Sequence, residues 1–411
     1  MANIKRWWVA MMLYQYQKDL LDKSLKNYIY PLGTGTGKTI LSIHHFYKHA
    51  QGKRLIIIAP AQKVKEGGWD REINNFNKYY GTNIDYEVIS YGRLKHVDGD
   101  KNTYLIFDEC HYIKNYKKSQ RSKLALKLCK ACYGYCLLSA TPASNGYQDL
   151  GNYMAIFGIY ASGYSYEKAN AIKKMNYMGF HEIAAWKNTE YIDKCWKAIS
   201  SVALNKNDCI DLPDLVFEEK YFDAGEEYIT IKKDRVLGDE LYDSSPKFIA
   251  GLRQYAGFNE KLEYLKEFRE STDSNILIFY NFKKEAEAIK ELIKVDYEVS
   301  GSLSRIPNFL DFKNLKNKTT LVQIQAGGAG IELQYNSEVI FFSPTWSYQD
   351  YEQAIGRAYR IGQKNKVTVY KYIGIGTIEE KVYTRLDDKK DFVDKLLSLE
   401  DLGGYEWNKK N

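Results

Sequence analysis

An α/β protein in two halves is the fold class this sequence predicts, and three observations carry the prediction. Short, almost wholly apolar runs recur between helical patterns, as strands buried on both faces of a parallel sheet require. A glycine-rich turn stands between the first of these runs and the first helix. The alternation breaks at residues 145–212 and restarts near residue 275, which argues for two α/β units.

Taken in order, Tyr28, Ile29 and Tyr30 read as a strand and residues 40–49 as the helix after it. Strands follow at 54–59, 103–107 and 135–138, with a helix at 119–128. Residues 145–212 read as helical and polar-aromatic with no clear strand, and Asp211-Leu212-Pro213-Asp214-Leu215 ends them. Residues 216–222 read as the last strand of the first half. Helices are expected at 245–254, 260–270, 283–294 and 348–359, and strands at 275–280, 319–325, 338–342 and 366–373. The chain after Thr377 is helical and charged. The expected organisation is a first domain over 1–225 with a helical insertion at about 145–212, then a helical linker over 226–270. A second domain over 271–385 and a helical, charged tail over 386–411 complete it.

The 411 residues leave room for two or three domains with substantial cores. Hydrophobic content of 45% and charged content of 27% describe an ordinary soluble globular protein. Lys+Arg 59 against Asp+Glu 52 gives +7, which permits a polyanionic partner without requiring one. The 36 tyrosines can supply stacking platforms, although most tyrosines simply pack. Six cysteines in a chain this long do not make a disulfide framework and point to a reducing compartment. Cys129, Cys132 and Cys136 invite a metal reading. The first two fall late in a helix, the third in a strand, and no second pair stands at ligand spacing. Lys5 and Arg6 precede a short apolar stretch that imitates a signal peptide, but Tyr14-Gln15-Tyr16-Gln17-Lys18-Asp19 follows without a small-residue cleavage site. No run approaches a membrane span, so a cytoplasmic protein without membrane contact is expected.

The chemistry concentrates at a few turns. Leu32-Gly33-Thr34-Gly35-Thr36-Gly37-Lys38-Thr39 joins the first strand to the first helix. A glycine-rich turn there lets backbone N–H groups close around phosphates at a helix N-terminus. Lys38 would neutralise the β- and γ-phosphates of ATP, and the Thr39 hydroxyl would hold Mg²⁺. The strict phosphate-loop pattern has Gly where this chain has Leu32. Asp108-Glu109-Cys110-His111 follows a buried strand, where carboxylates reach the same phosphate site. Asp108 would bind Mg²⁺, and Glu109 would orient and deprotonate the attacking water. Ser139, Ala140 and Thr141 close the next strand, where small hydroxylic residues can couple the acidic pair to the surface beyond. In the second half, Gln353 opens Gln353-Ala354-Ile355-Gly356-Arg357-Ala358-Tyr359-Arg360. Arg357 and Arg360 stand three apart on one expected helical face, as arginine fingers for a γ-phosphate or as a solvated basic face.

Together these blocks resemble helicase superfamily 2, and more narrowly the Swi/Snf-type DNA translocases, over nearly the whole chain. Leu13-Tyr14-Gln15-Tyr16-Gln17 is similar to the adenine-reading motif, with Gln17 the reader. Ala59-Pro60 and Trp69-Asp70-Arg71-Glu72 are similar to motif Ia, Ser90-Tyr91 falls at motif Ib, and "DECHYIKN" is close to motif II. "LLSATPASN" and "ILIFYNF" match motifs III and IV, and "QAGGAGIEL", "QAIGRAYRIGQ" and "GTIEEKV" follow in family order. Glu332, Tyr359 and Ser347-Tyr348 depart from the family's usual Asn, His and Asn-Pro.

The resemblance implies two RecA-like domains with ATP in the cleft between them, a nucleic-acid strand lying across both, and Gly330 and Glu332 in the coupling motif. It assigns nucleic-acid contacts to Lys63, Ser90, Tyr91, Lys114, Asn115, Asn281, Gly301, Gln325 and Gly327. It further implies an ATP- and Mg²⁺-dependent motor on DNA, with duplex preferred over single strands or RNA. Recombination, repair or fork remodelling would be its task, in a bacterial or phage-infected cell, with a protein partner supplying specificity. A strand-separating helicase shares every ATP motif, and a nucleotide-gated scaffold recruiting a nuclease or replication protein is a third reading.

Overall fold

The computed structural model describes residues 12–175, 179–204, 212–301, 303–326 and 331–397. Strands β1 (Tyr28–Pro31), β2 (Arg54–Ala59), β3 (Tyr86–Ser90), β4 (Thr103–Asp108) and β5 (Gly134–Ser139) form a parallel sheet in the order β1-β5-β4-β2-β3. Period-two alternation sorts β2 cleanly: Leu55, Ile57 and Ala59 enter one core, and Ile56 and Ile58 the other. Helices α1 (Gln15–Asp22), α2 (Lys38–Ala50), α3 (Ala61–Lys65) and α4 (Gly68–Tyr80) precede β3. From these, Leu41, Phe46, Trp69, Ile73 and Phe76 fill the first core. Helices α5 (Gln120–Ala131), α6 (Gly151–Ile156), α7 (Gly163–Asn170) and α8 (Thr189–Ile199) follow β4, and Ala125, Leu128, Tyr153, Tyr166 and Trp196 fill the second. Cys129 and Cys132 belong to the second core and Cys136 to the first, so the three thiols serve two different faces.

The insertion is not wholly helical. An antiparallel ribbon, β6 (Ala171–Met175) with β7 (His181–Trp186), interrupts it. Both strands are largely exposed, so no apolar run announces them. Residues 200–204 then return to the outer edge of β1, with parallel bridges from Ile29 to Ser200 and from Leu32 to Leu204. Ser201 N–H donates to the Ile29 carbonyl and Gly33 N–H to that of Leu204, which covers an otherwise open sheet edge.

The second sheet holds β8 (Leu215–Phe222), β11 (Ile276–Tyr280), β12 (Tyr297–Val299), β13 (Ser304–Arg305), β14 (Thr319–Gln323), β15 (Glu338–Phe341) and β16 (Val367–Gly374). Its order is β13-β12-β14-β11-β15-β16-β8, parallel except for β13 against β12. This corrects the expected boundary at residue 225. β8 pairs with β16 from Leu215–Val367 to Phe222–Gly374, and the second compact unit runs from Asp211 to Lys390. Nothing local to an edge strand records which sheet it will join.

Residues 226–270 are likewise no linker. Helix α9 (Glu226–Asp234), the β9 (Val236–Leu237) to β10 (Glu240–Leu241) hairpin, α10 (Ser245–Tyr255) and α11 (Phe258–Ser271) occupy them. Tyr228, Ile231, Tyr242, Leu252 and Leu265 share a core with Ile276, Ile278 and Ile340. Helices α12 (Lys283–Leu292), α13 (Tyr348–Ala358) and α14 (Ile378–Leu397) complete the unit. Because Val382, Tyr383 and Leu386 are buried along α14, the expected tail at 386–411 begins inside a packed helix. Among the described residues, no helix is long and apolar enough to cross a membrane.

His45 gives the first unit an acid limit. Its imidazole is fully buried, with Nδ1 2.8 Å from the Tyr30 hydroxyl and Nε2 3.3 Å from the Lys26 carbonyl. Burial first, then the neighbouring His49, lowers its pKa from 6.5 to about 3. The native state therefore binds fewer protons than the unfolded chain between those values, and stability falls as pH drops from about 6.5 to 3. Unfolding free energies measured across that window should drop less in His45→Gln, by on the order of a few kcal/mol. An unchanged acid slope in the variant would assign the loss to other groups.

Candidate functional site

The sheet order brings the C-terminal ends of β1, β5, β4 and β2 side by side. Pro31 is in register with Ser139, Leu138 with Asp108, and Ile58 with Phe107. The turns leaving these strands carry the glycine loop, Ser139-Ala140-Thr141, the acidic pair and Pro60. Ligands of parallel α/β sheets bind at such an edge.

The glycine loop is built for an anion. Gly35 and Gly37 take φ values of 82° and 71°, which a side chain would resist. A Cβ on Gly37 would also meet Gln17 Nε2 at 2.5 Å. Helix α2 then starts at Lys38 with no side-chain cap and no acidic residue in its first turn, so its N-terminal amides remain for a ligand. Thr36 Oγ1 donates to the Gly33 carbonyl at 2.8 Å and closes the turn. Lys38 Nζ rests on the Leu32 and Gly33 carbonyls at 2.8 and 3.0 Å, poised over the loop. Leu32, the departure from the strict pattern, has a physical reason: its side chain is fully buried in the first core. Thr34 and Thr39 are half-exposed on the same turn.

Gln17 supports this loop from α1. Its Nε2 donates to the carbonyls of Thr36 at 3.1 Å and Gly37 at 3.4 Å, while Oε1 accepts from Tyr14 N–H at 2.9 Å. Tyr16 adds a 2.7 Å bond from its hydroxyl to the Thr36 carbonyl. The carboxamide of Gln17 is thus engaged with the loop itself.

Asp108 ends β4 and Glu109 follows in a left-handed conformation at φ 57°, strained for a non-glycine residue. The buried Tyr91 hydroxyl holds this bend by donating to the carbonyls of Asp108 at 2.8 Å and Glu109 at 3.2 Å. Trp69 Nε1 donates to Asp108 Oδ2 at 3.1 Å. Lys63 reaches both acids, at 3.1 and 3.0 Å from the Asp108 oxygens and 3.2 Å from Glu109 Oε1. His111 Nδ1 lies 3.3 Å from Glu109 Oε2 and 3.2 Å from Ser139 Oγ, and that hydroxyl accepts from Thr141 N–H at 3.1 Å. Burial alone would push the Glu109 carboxyl up. Lys63, His111 and Lys38 outweigh it and hold the group well below the usual carboxylate range. Oxygen donors that already gather a cation, beside the hydroxyl-bearing first turn of α2, form a donor set that fits Mg²⁺.

Several expected nucleic-acid contacts have other partners. Lys63 sits on the acidic pair, and Tyr91 is buried beneath it. Lys114 Nζ is bound at 2.7 Å to both Ser144 Oγ and Asp149 Oδ2. Asn281 Nδ2 donates to the Ser343 carbonyl and hydroxyl and to the Pro344 carbonyl, knitting two strand ends together. Asn115, Gly301 and Gln325 are exposed and Ser90 half-exposed. Gly327 and Gly330 lie outside the described residues.

On the second unit, Gln353 is buried in α13 and Arg357 is half-exposed in its last turn. Arg360 does not share their helix. Tyr359 leaves helical geometry at φ −90°, ψ 86°, so Arg360 stands in the bend beyond, where Glu332 Oε1 accepts from its guanidinium at 3.1 Å. Glu332, one of the family departures, is therefore a partner of the second candidate arginine.

Lys63, Trp69 and His111 were not assigned to the acidic pair by sequence reasoning. Trp69 was visible only as part of a motif, and nothing local links it to a carboxylate 39 residues on.

A profile for the helicase conserved C-terminal domain matches residues 260–362. A Bacillus subtilis (strain 168) protein named as an ATP-dependent helicase/translocase, YwqA, is 26% identical over 89% of this chain and 46% of its own length. The human DNA excision repair protein ERCC-6-like is 32% identical over 37% of this chain and 12% of its own. The DNA repair and recombination protein RAD54 of Oryza sativa subsp. japonica is 29% identical over 34% of this chain and 15% of its own. These matches make the chain similar to Swi/Snf-type, helicase-like proteins of superfamily 2. This helicase-like chain spans less than half the length of those three relatives. Its two mainly parallel sheets flanked by helices agree with the two RecA-like domains of the family.

Proposed function

We propose that this chain is a DNA-stimulated ATPase that uses hydrolysis to move along duplex DNA. The observation that carries the reading is the meeting, at one sheet edge, of an uncapped helix N-terminus, a loop lysine and an acidic pair bridged by Lys63. Lys38 and the loop amides bind the phosphates, Gln17 fixes the loop, and Ser139 with Thr141 links the acidic pair to the strand end beside it. Thr39 and Asp108 would hold Mg²⁺, which supplies charge neutralisation at the phosphates when bound. Glu109 takes the proton of the attacking water, and Arg357 and Arg360 supply positive charge to the transferring phosphoryl group. The relatives' names, helicase/translocase and DNA repair or recombination protein, support DNA as the track. Exposed Asn115, Gly301 and Gln325 suit sequence-blind phosphate contacts.

Phosphate release measured with no nucleic acid, single-stranded DNA, duplex DNA, forked DNA and RNA tests the reading. Duplex DNA should stimulate most, and the stimulation should fall steeply with salt. Lys38→Ala should lower turnover by at least about 10² with the fold retained, because phosphate charge would go unanswered. Wild-type turnover in that variant, or no stimulation by any nucleic acid, overturns the proposal. Unwinding of the fork in place of triplex displacement favours a strand-separating helicase.

A further inference from the structure

Asp108 and Glu109 are adjacent, nearly buried carboxylates, and like charges so placed are costly unless a cation answers them. In this structure the cation is Lys63. Its ammonium lies within 3.0 to 3.2 Å of three of the four carboxylate oxygens. The other groups facing the pair are the neutral Trp69 indole donor on Asp108 Oδ2, His111 at 3.3 Å from Glu109 Oε2, and Lys38, whose charge reaches Glu109. Of these, Lys63 alone engages both acids, and it covers the Asp108 oxygens that the proposed function gives to the metal.

The helix that carries it is short and lies at the surface. Helix α3 is five residues long and has no buried side chain. It ends in Glu66 and then Gly67 at φ 62°, a glycine turn that separates it from the well-anchored α4. Lys63 itself keeps 26% of its side chain exposed, whereas Asp108 keeps 4%. The acids are fixed by Tyr91, Trp69 and the sheet, whereas the lysine reaches them from a short surface helix.

We propose that Lys63 is an exchangeable counter-cation, a positioning residue that neutralises the acidic pair before nucleotide loading and yields the Asp108 oxygens to the incoming divalent ion. The inference rests on the metal role of Asp108 given above. The exchange replaces one positive charge by two, which answers both carboxylates, and no covalent bond changes. Metal binding to the nucleotide-free chain is therefore opposed by Lys63, and loading shifts α3.

The test uses Mn²⁺ alone as the probe, on the full chain without nucleotide. Electron paramagnetic resonance titration gives its affinity, and thermal unfolding is followed with and without the ion. Lys63→Met should bind Mn²⁺ at least tenfold more tightly than wild type and gain more thermal stability from it, being the less stable protein in chelator. Lys63→Arg should restore weak, wild-type-like binding. A lysine that merely held the fold would give the opposite sign, since a loosened site binds metal less well. Asp108→Asn separates the premises. If it abolishes Mn²⁺ binding while Lys63→Met binds no more tightly than wild type, the counter-cation is overturned and the metal role stands. If Asp108→Asn binds Mn²⁺ as wild type does, both are overturned.

Discussion

Glu109→Gln should slow ATP turnover about 10³-fold while leaving nucleotide affinity within about threefold of wild type, the expected size for loss of a general base. The substitution keeps the shape of the side chain and an oxygen acceptor but removes the charge that takes the proton. It also preserves the features that place the residue. The left-handed bend at Glu109 is held through backbone carbonyls by the Tyr91 hydroxyl, and neither group changes. In the present geometry Lys63, His111 and Lys38 hold the proton affinity of Glu109 low. Single-turnover phosphate release alongside titration with a fluorescent nucleotide separates catalysis from binding. Retention of more than about a tenth of wild-type turnover would remove Glu109 from the role of base, because such a loss falls below the general-base range.

Lys261→Met should destabilise the second unit by about 3–5 kcal/mol, the cost of leaving one half of a buried ion pair alone. Lys261 Nζ lies 2.7 and 2.6 Å from the two oxygens of Glu379, with side chains only 2% and 0% exposed. The pair fastens α11 to the start of α14, and Glu379 also accepts from Gly374 N–H at 2.8 Å at the end of β16. Burial already pushes the Glu379 carboxyl up against the pull of Lys261, so without the lysine it would take a proton. Adding Glu379→Gln should recover much of the loss, since the amide stays neutral and still accepts from Gly374. For a unit of this size the single variant should melt roughly 10 °C lower. Equal unfolding temperatures for wild type and Lys261→Met would show that desolvation of the pair cancels its attraction.

The candidate site was legible in the sequence to an uneven degree. Gly33 to Thr39 and Asp108-Glu109 could be read because each is a short run whose chemistry depends on its own backbone turn and on the strand before it. Arg360 was misread as helical because Tyr359 ends α13 one residue early, and Tyr359 carries no local breaker signal of the kind glycine gives at Gly362. The family resemblance gives Lys114 and Asn281 as nucleic-acid contacts, and nothing local to either announces the partners it has within the fold. Those partners, Asp149 and Ser343, lie 35 and 62 residues away.

By itself the sequence determined the alternation of strands and helices, the glycine loop and the acidic pair, since periods of two and 3.6 and the freedom of glycine act over a few residues. Only the tertiary structure decided that β8 belongs to the second sheet, that residues 200–204 seal the edge of β1, and that Lys63, Trp69 and Tyr91 surround Asp108. Those outcomes depend on strand order, with β4 lying between β5 and β2. Strand order is settled by the packing of whole faces, and no single stretch of the chain records it.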